Sequence, residues 1–120
     1  MATVLVVDDS PVSQRLLSYT LQRAGYTVMM ASNGCEALDI LNVQMVDLVI
    51  SDLAMPEMDG LSLLEAIRAS QDLCDLQLVM LTASGQEHDR SLAEAAGASD
   101  FLTKPTSTRD LLATVGRLVG

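Results

Sequence analysis

Short runs of apolar and β-branched residues alternate along the chain with longer stretches in which apolar residues return every three or four positions. Thr3-Val4-Leu5-Val6-Val7 is the first such run, and it stops at Asp8-Asp9-Ser10-Pro11. An apolar run bounded by turn formers predicts a buried strand feeding a loop. Ser10 and Pro11 make an N-cap and first-turn pair. Val12, Leu16, Leu17, Leu21 and Ala24 then recur at helical spacing until Gly25 ends the helix.

The same unit repeats. A second strand is predicted over 26–31, and Asn33-Gly34 opens a helix in which Ala37, Leu38 and Leu41 share a face. A third strand covers 46–52 and ends on a carboxylate, Asp52, before the loop Leu53-Ala54-Met55-Pro56-Glu57-Met58-Asp59-Gly60. Leu61, Leu64 and Ile67 mark the third helix, and a fourth strand runs over 77–82. An Ala-rich helix over 84–97 carries Leu92, Ala93 and Ala96, and a short fifth strand covers 99–103 until Lys104-Pro105 breaks it. The last helix is expected to start near Thr106 and to present Leu111, Leu112, Val115, Leu118 and Val119 as a broad apolar stripe. Five β-α units predict an α/β fold, a parallel sheet wound on both faces through right-handed crossovers.

Composition narrows the class. With 120 residues, 49% of them hydrophobic, the chain suits one compact domain that needs neither disulfide nor metal to fold. Cys35 and Cys74 have no partner at metal-binding or redox spacing and read as small buried or half-buried residues of a reducing compartment. The net charge of −9 disfavours direct contact with nucleic acid or an anionic membrane. No leader opens the chain and no apolar run approaches the ~20 residues of a membrane span, so a cytoplasmic location is expected.

In a parallel sheet, ligands bind at the carboxyl ends of the strands. Asp8 and Asp9, Asp52, Thr82 and Lys104 each stand at or just past the end of a different strand. Singly, each has an ordinary structural explanation: a solvated cap, a turn former, a surface charge. Together they predict a site. Three carboxylates repel one another, each pair by about 4 kcal/mol at ~4 Å and an effective dielectric near 20. Lys104 supplies one opposing charge, and the oxygen-only donor set suits Mg²⁺ rather than zinc. An Asp beside a divalent cation, faced by a Lys and a hydroxyl, can attack phosphorus and become an aspartyl phosphate.

With Asp8-Asp9, Asp52 and its Met55-Pro56-Glu57-Met58-Asp59-Gly60 loop, Thr82-Ala83 and Lys104-Pro105, the chain resembles from end to end the receiver domains of two-component response regulators, chemotaxis regulators included. The resemblance implies a single receiver domain over 1–120, with a flavodoxin-like sheet in the order 2-1-3-4-5 and five helices. It implies Asp52 as phosphoacceptor and Mg²⁺, with Mn²⁺ as substitute, held by Asp9 directly, by Asp8 through water or as an orienting carboxylate, by Asp52 and by the Ala54 backbone carbonyl. Thr82 would be the switch hydroxyl, Lys104 the ion-pairing partner of the phosphoryl group, and Phe101 the aromatic whose rotamer follows Thr82, while Ala83 leaves room for the donor. The donor would be a phosphohistidine on a sensor histidine kinase or histidine phosphotransfer protein. The receiver would catalyse its own phosphorylation and dephosphorylation without being a conventional turnover enzyme. Phosphorylation would shift the helix 4, strand 5, helix 5 face toward an output partner that the sequence does not name.

Several residues qualify that picture. Phe101 lacks a hydroxyl, so any coupling through it is steric, and a core role is the alternative. Thr106 stands where many DNA-binding members carry Phe, which fits a stand-alone receiver or one cut from a hybrid kinase. Ala54 and Ser84 are small and predict a modest phosphate lifetime. His88 sits among charged residues and reads as part of a solvated helix face, and Met55 and Met58 read as packing. A flavin site would need phosphate-cradling amides where Asp8-Asp9 stand. An Asp-nucleophile phosphatase would want an acid at Ala54. The remaining alternative is a receiver-like interaction module that signals without phosphate.

Overall fold

The computed structural model describes residues 2–55, 57–83 and 87–119. In chain order the elements are β1 (Thr3–Val7), α1 (Pro11–Arg23), β2 (Thr27–Ala31), α2 (Gly34–Val43), β3 (Leu48–Asp52), α3 (Gly60–Ala69), β4 (Gln77–Thr82), α4 (Glu87–Ala96), β5 (Asp100–Thr103) and α5 (Thr108–Val119). All strand pairs are parallel, and the sheet order is β2-β1-β3-β4-β5. This is the flavodoxin-like arrangement, with the strand order changing direction beside β1 and β3.

The central strands are buried on both faces, so their residues divide by parity between two cores. Leu5, Val7, Val49, Leu78 and Met80 pack with Ala37 and Leu41 of α2, Leu63, Leu64 and Ile67 of α3, and Ala93 of α4. Val4, Val6, Leu48, Ile50, Val79 and Leu81 pack with Leu17 and Leu21 of α1 and Leu111 and Val115 of α5. Two helices therefore cover one face and three the other. Met55 and Met58 lie partly buried against the first core, as packing residues.

Several expectations need correction. Val12 and Leu16 are 71% and 68% exposed, and Ala24 is the exposed C-cap, so the buried stripe of α1 is Leu17, Ser18 and Leu21. The reason is angular: at about 100° per residue, 12 and 16 fall on a different face from 17 and 21. Leu92 is likewise exposed, and α4 buries only Ala93. Cys35 and Cys74 are both exposed. The last helix begins at Thr108 rather than Thr106, because Ser107 caps it, accepting the Asp110 N–H on its Oγ at 3.0 Å. The second, third and fifth strands each start one or two residues later than expected. Ser84, with the predicted first turn of α4, lies outside the described residues, as does Pro56. His88 is exposed on α4.

Candidate functional site

β1 and β3 pair in register up to Val7 and Ser51, so the residues that follow, Asp8 and Asp52, emerge side by side at the carboxyl edge. The Asp8 N–H donates to the Ala31 carbonyl of β2 at 3.0 Å, which holds the strand end in place. Thr82 closes β4 and is buried, and the Lys104 N–H donates to its carbonyl at 2.6 Å. The edge thereby gathers Asp8, Asp9, Asp52, Thr82 and Lys104 from four strand ends.

Lys104 Nζ donates to Asp8 Oδ2 at 2.7 Å and to Asp52 Oδ2 at 3.4 Å. Asp8 is 1% exposed, and its other oxygen accepts the Ser10 N–H at 2.9 Å, so both oxygens are engaged. Asp9 is exposed and reaches the same space. One carboxylate oxygen from each of Asp8, Asp9 and Asp52 lies within 4.8 Å of the others.

Burial pushes the Asp52 carboxyl above its ordinary range; Lys104 pulls it back down, and the charges of Asp8 and Asp9 add to the rise. For Lys104, burial alone would favour loss of its proton, but the hydrogen bond to Asp8 and the charges of Asp52 and Asp8 more than offset this, and its pKa is raised. When all three carboxylates are ionised, one ammonium leaves two negative charges uncompensated. A hard divalent cation with oxygen preference fits that donor set.

The loop after Asp52 is held by close backbone approaches. A Cβ on Gly60 would stand 2.2 Å from the Asp52 carbonyl oxygen, so only glycine lets α3 start there. The Gly60 N–H returns to the Leu53 carbonyl at 2.9 Å, and Asp59 caps α3 on the Ser62 N–H at 2.8 Å. On the far side, the Gly34 N–H donates to the Met58 carbonyl at 3.1 Å. Glu57 adopts φ 67°, a left-handed conformation uncommon for a side chain without an amide or carboxyl next to Cβ. Ala54 lies exposed in this loop, two residues past Asp52. Phe101 is turned inward, 9% exposed in the core shared with α3 and α4.

Residues 4–116 match the family described as response regulator receiver domain. The chain belongs to this family. Among solved structures, the chemotaxis protein CheY4 of Vibrio cholerae is 37% identical, with a TM-score of 0.93 and 98% of each chain covered. The response regulator TrrA of Thermotoga maritima, solved in complex with Mg(2+)-BeF, is 37% identical with a TM-score of 0.88, covering 98% of this chain and 99% of that one. PhoP of Bacillus subtilis, the alkaline phosphatase synthesis transcriptional regulatory protein, is 39% identical over 112 residues. That stretch is 93% of this chain but 46% of PhoP, so the receiver domain spans about half the length of that regulator.

One residue of this receiver domain that the sequence pattern passed over is Gln14. From the first turn of α1 its amide donates to the Asp8 carbonyl at 2.6 Å and to the Ala31 carbonyl at 3.0 Å. It thus ties the Asp8-Asp9 turn to the end of β2. A polar amide one turn after an N-cap, on the side facing the loop, was the available signal.

Proposed function

We propose that this receiver domain is a phosphorylation-dependent switch that accepts a phosphoryl group on Asp52. The observation that carries the reading is the convergence on Asp52 of Lys104, 3.4 Å away, and of the Asp8 and Asp9 carboxylates within 4.8 Å. Asp52 is a half-buried carboxylate at a strand end, positioned to act as an oxygen nucleophile. One of its oxygens would form the bond to phosphorus as the phosphorus–nitrogen bond of a donor phosphohistidine breaks. Lys104 balances charge on Asp52 and on the group it acquires, and the Thr82 hydroxyl would bind a phosphoryl oxygen.

Asp8, Asp9, Asp52 and the Ala54 carbonyl would hold Mg²⁺, with Asp8 oriented by Ser10 and Lys104. When bound, the cation supplies positive charge that reduces carboxylate repulsion and favours phosphoryl oxygens. The solved Mg(2+)-BeF complex of TrrA supports this assignment by relationship. The donor is a sensor histidine kinase or a histidine phosphotransfer protein, and the response travels through Thr82 to α4, β5 and α5. Phe101 couples to that movement by packing. Residues 1–120 act as one receiver unit, in the cytoplasm. Direct contact with nucleic acid is disfavoured by the charge of −9. Among the described residues no helix is long and apolar enough to cross a membrane.

Incubation with acetyl phosphate and Mg²⁺ tests the reading by intact mass. One phosphoryl group on the wild type and none on Asp52→Asn is the expected result. An unmodified wild type would overturn it.

A further inference from the structure

A cavity of about 410 Å³ opens beside the phosphoacceptor, between α1 and the segment that follows β5. Leu16, Leu17, Leu81 and Pro105 supply apolar walls, and Ala83 and Lys104 join it to the site, since Lys104 Nζ is 3.4 Å from Asp52. Its size falls in the range of about 300–1,000 Å³ typical of small-molecule pockets. Three features say what fits there. The walls are mostly apolar, with no carboxylate among the lining residues, whereas the acidic groups of the site are Asp8, Asp9 and Asp52. Lys104 is the only charged residue in the lining, and its ammonium, 3.4 Å from Asp52 Oδ2, favours a departing anion. Ala83, directly after Thr82 and exposed, leaves no bulky side chain there.

We infer that this cavity is a leaving-group subsite that selects phosphodonors with a flat or apolar tail, so that the receiver takes phosphoryl groups from aryl acyl phosphates in preference to acetyl phosphate. The inference rests on Asp52 being the phosphoacceptor and adds a donor specificity to that site. With benzoyl phosphate as the probe, an Asp52 carboxylate oxygen forms the bond to phosphorus while the phosphorus–oxygen bond to the benzoyl group breaks. The electron pair departs with benzoate, and neither a proton nor an oxidant is consumed. Benzoate and acetate are leaving groups of similar basicity, so a rate difference reports on what the protein does with the ring.

The test compares initial rates of intact-mass gain for acetyl phosphate and benzoyl phosphate at equal subsaturating concentrations, with Mg²⁺, on the wild type and on Leu16→Ala. Leu16 is exposed and outside both cores, so Leu16→Ala keeps the fold. Burial of about half a phenyl ring predicts roughly tenfold faster labelling by benzoyl phosphate on the wild type. Leu16→Ala should lose at least about a third of an order of magnitude of that preference while its acetyl phosphate rate stays within about twofold. A metal-free arm follows the leucine methyl resonances during titration with benzyl alcohol, where shifts confined to Leu16, Leu17 and Leu81 are expected. Labelling of Asp52 by acetyl phosphate with no benzoyl preference, or with a preference unchanged in Leu16→Ala, overturns the subsite and leaves the phosphoacceptor reading standing. Failure of acetyl phosphate itself removes the phosphoacceptor reading, and the donor specificity falls with it. Absent methyl shifts overturn the cavity on their own.

Discussion

Helices α1 and α5 carry Arg15, Arg23, Arg109 and Arg117 against Asp110, whereas α2, α3 and α4 carry Glu36, Asp39, Glu65, Glu87, Asp89 and Glu94 against Arg68 and Arg90. The two layers bury the sheet in the same manner, through leucines with an isoleucine or a valine at helical spacing over alternating strand residues. They differ on the side turned to solvent. The α1 surface exposes Val12, Leu16 and Tyr19, with the Arg23 guanidinium 5.6 Å from the Tyr19 ring centroid. The three-helix surface is acidic and exposes fewer large apolar groups along its helices. Stability is thus shared between the layers, while the more basic and more apolar outer surface belongs to α1. The chemistry sits on the edge between them.

The strongest challenge to equal burial is a matched pair of core deletions. Leu21→Ala on α1 and Leu64→Ala on α3 should each cost about 3 kcal/mol in urea unfolding, since both side chains are fully buried. A loss under about 1 kcal/mol on either side would mean that one layer only decorates the sheet.

Next comes the edge. Lys104→Met leaves the buried Asp8 carboxylate without its ammonium, a change of roughly 3 kcal/mol for a broken buried pair. Thermal unfolding in chelator should show that loss, and Mg²⁺ should recover much of it by binding only the folded state. Equal loss with and without Mg²⁺ would separate the lysine from the carboxylate cluster.

Asp52→Asn works in the opposite direction. Because the folded-state pKa of Asp52 is raised, its contribution to stability is fully present below the unfolded carboxyl pKa of about 3.9 and is lost as pH rises through the folded value. Near neutral pH the ionised side chain therefore strains the fold, and Asn should stabilise by more than the ~0.5 kcal/mol of ordinary surface changes. The gain should fade as pH drops below about 4, where Asp52 is neutral in both states. A pH-independent difference would contradict burial and like charge as the cause.

Smallest is Val12→Ser on the outer face of α1. Stability should move by no more than about 0.5 kcal/mol, while binding of a phosphodonor protein, followed by titration calorimetry, should weaken. Unchanged binding would detach the α1 surface from partner recognition.

Much of the frame was legible because each strand ends on or just before a turn-forming or charged group, and α1, α2, α3 and α5 open on a capping side chain. Asp52, Asp8, Asp9, Thr82 and Lys104 could be placed on one edge from the strand count alone. Which face each strand residue takes was not legible, since strands buried on both sides show no polar alternation. Val12 and Leu16 misled because helical spacing marks an apolar stripe without saying whether protein or solvent covers it. The start of α5 follows Ser107, with Asp110 three residues on, rather than the break at Lys104-Pro105. The position of Gln14 one turn after the N-cap was legible, but its partners were not, since they are backbone carbonyls of Asp8 and of a neighbouring strand.

The most direct test of the central claim is chemical trapping of the phosphorylated residue. After acetyl phosphate and Mg²⁺, borohydride reduces an aspartyl phosphate to homoserine, and peptide mass spectrometry locates it. Homoserine at position 52, absent when Mg²⁺ is chelated, is the predicted result. Homoserine at Asp8 or Asp9, or none anywhere in the chain, would contradict it.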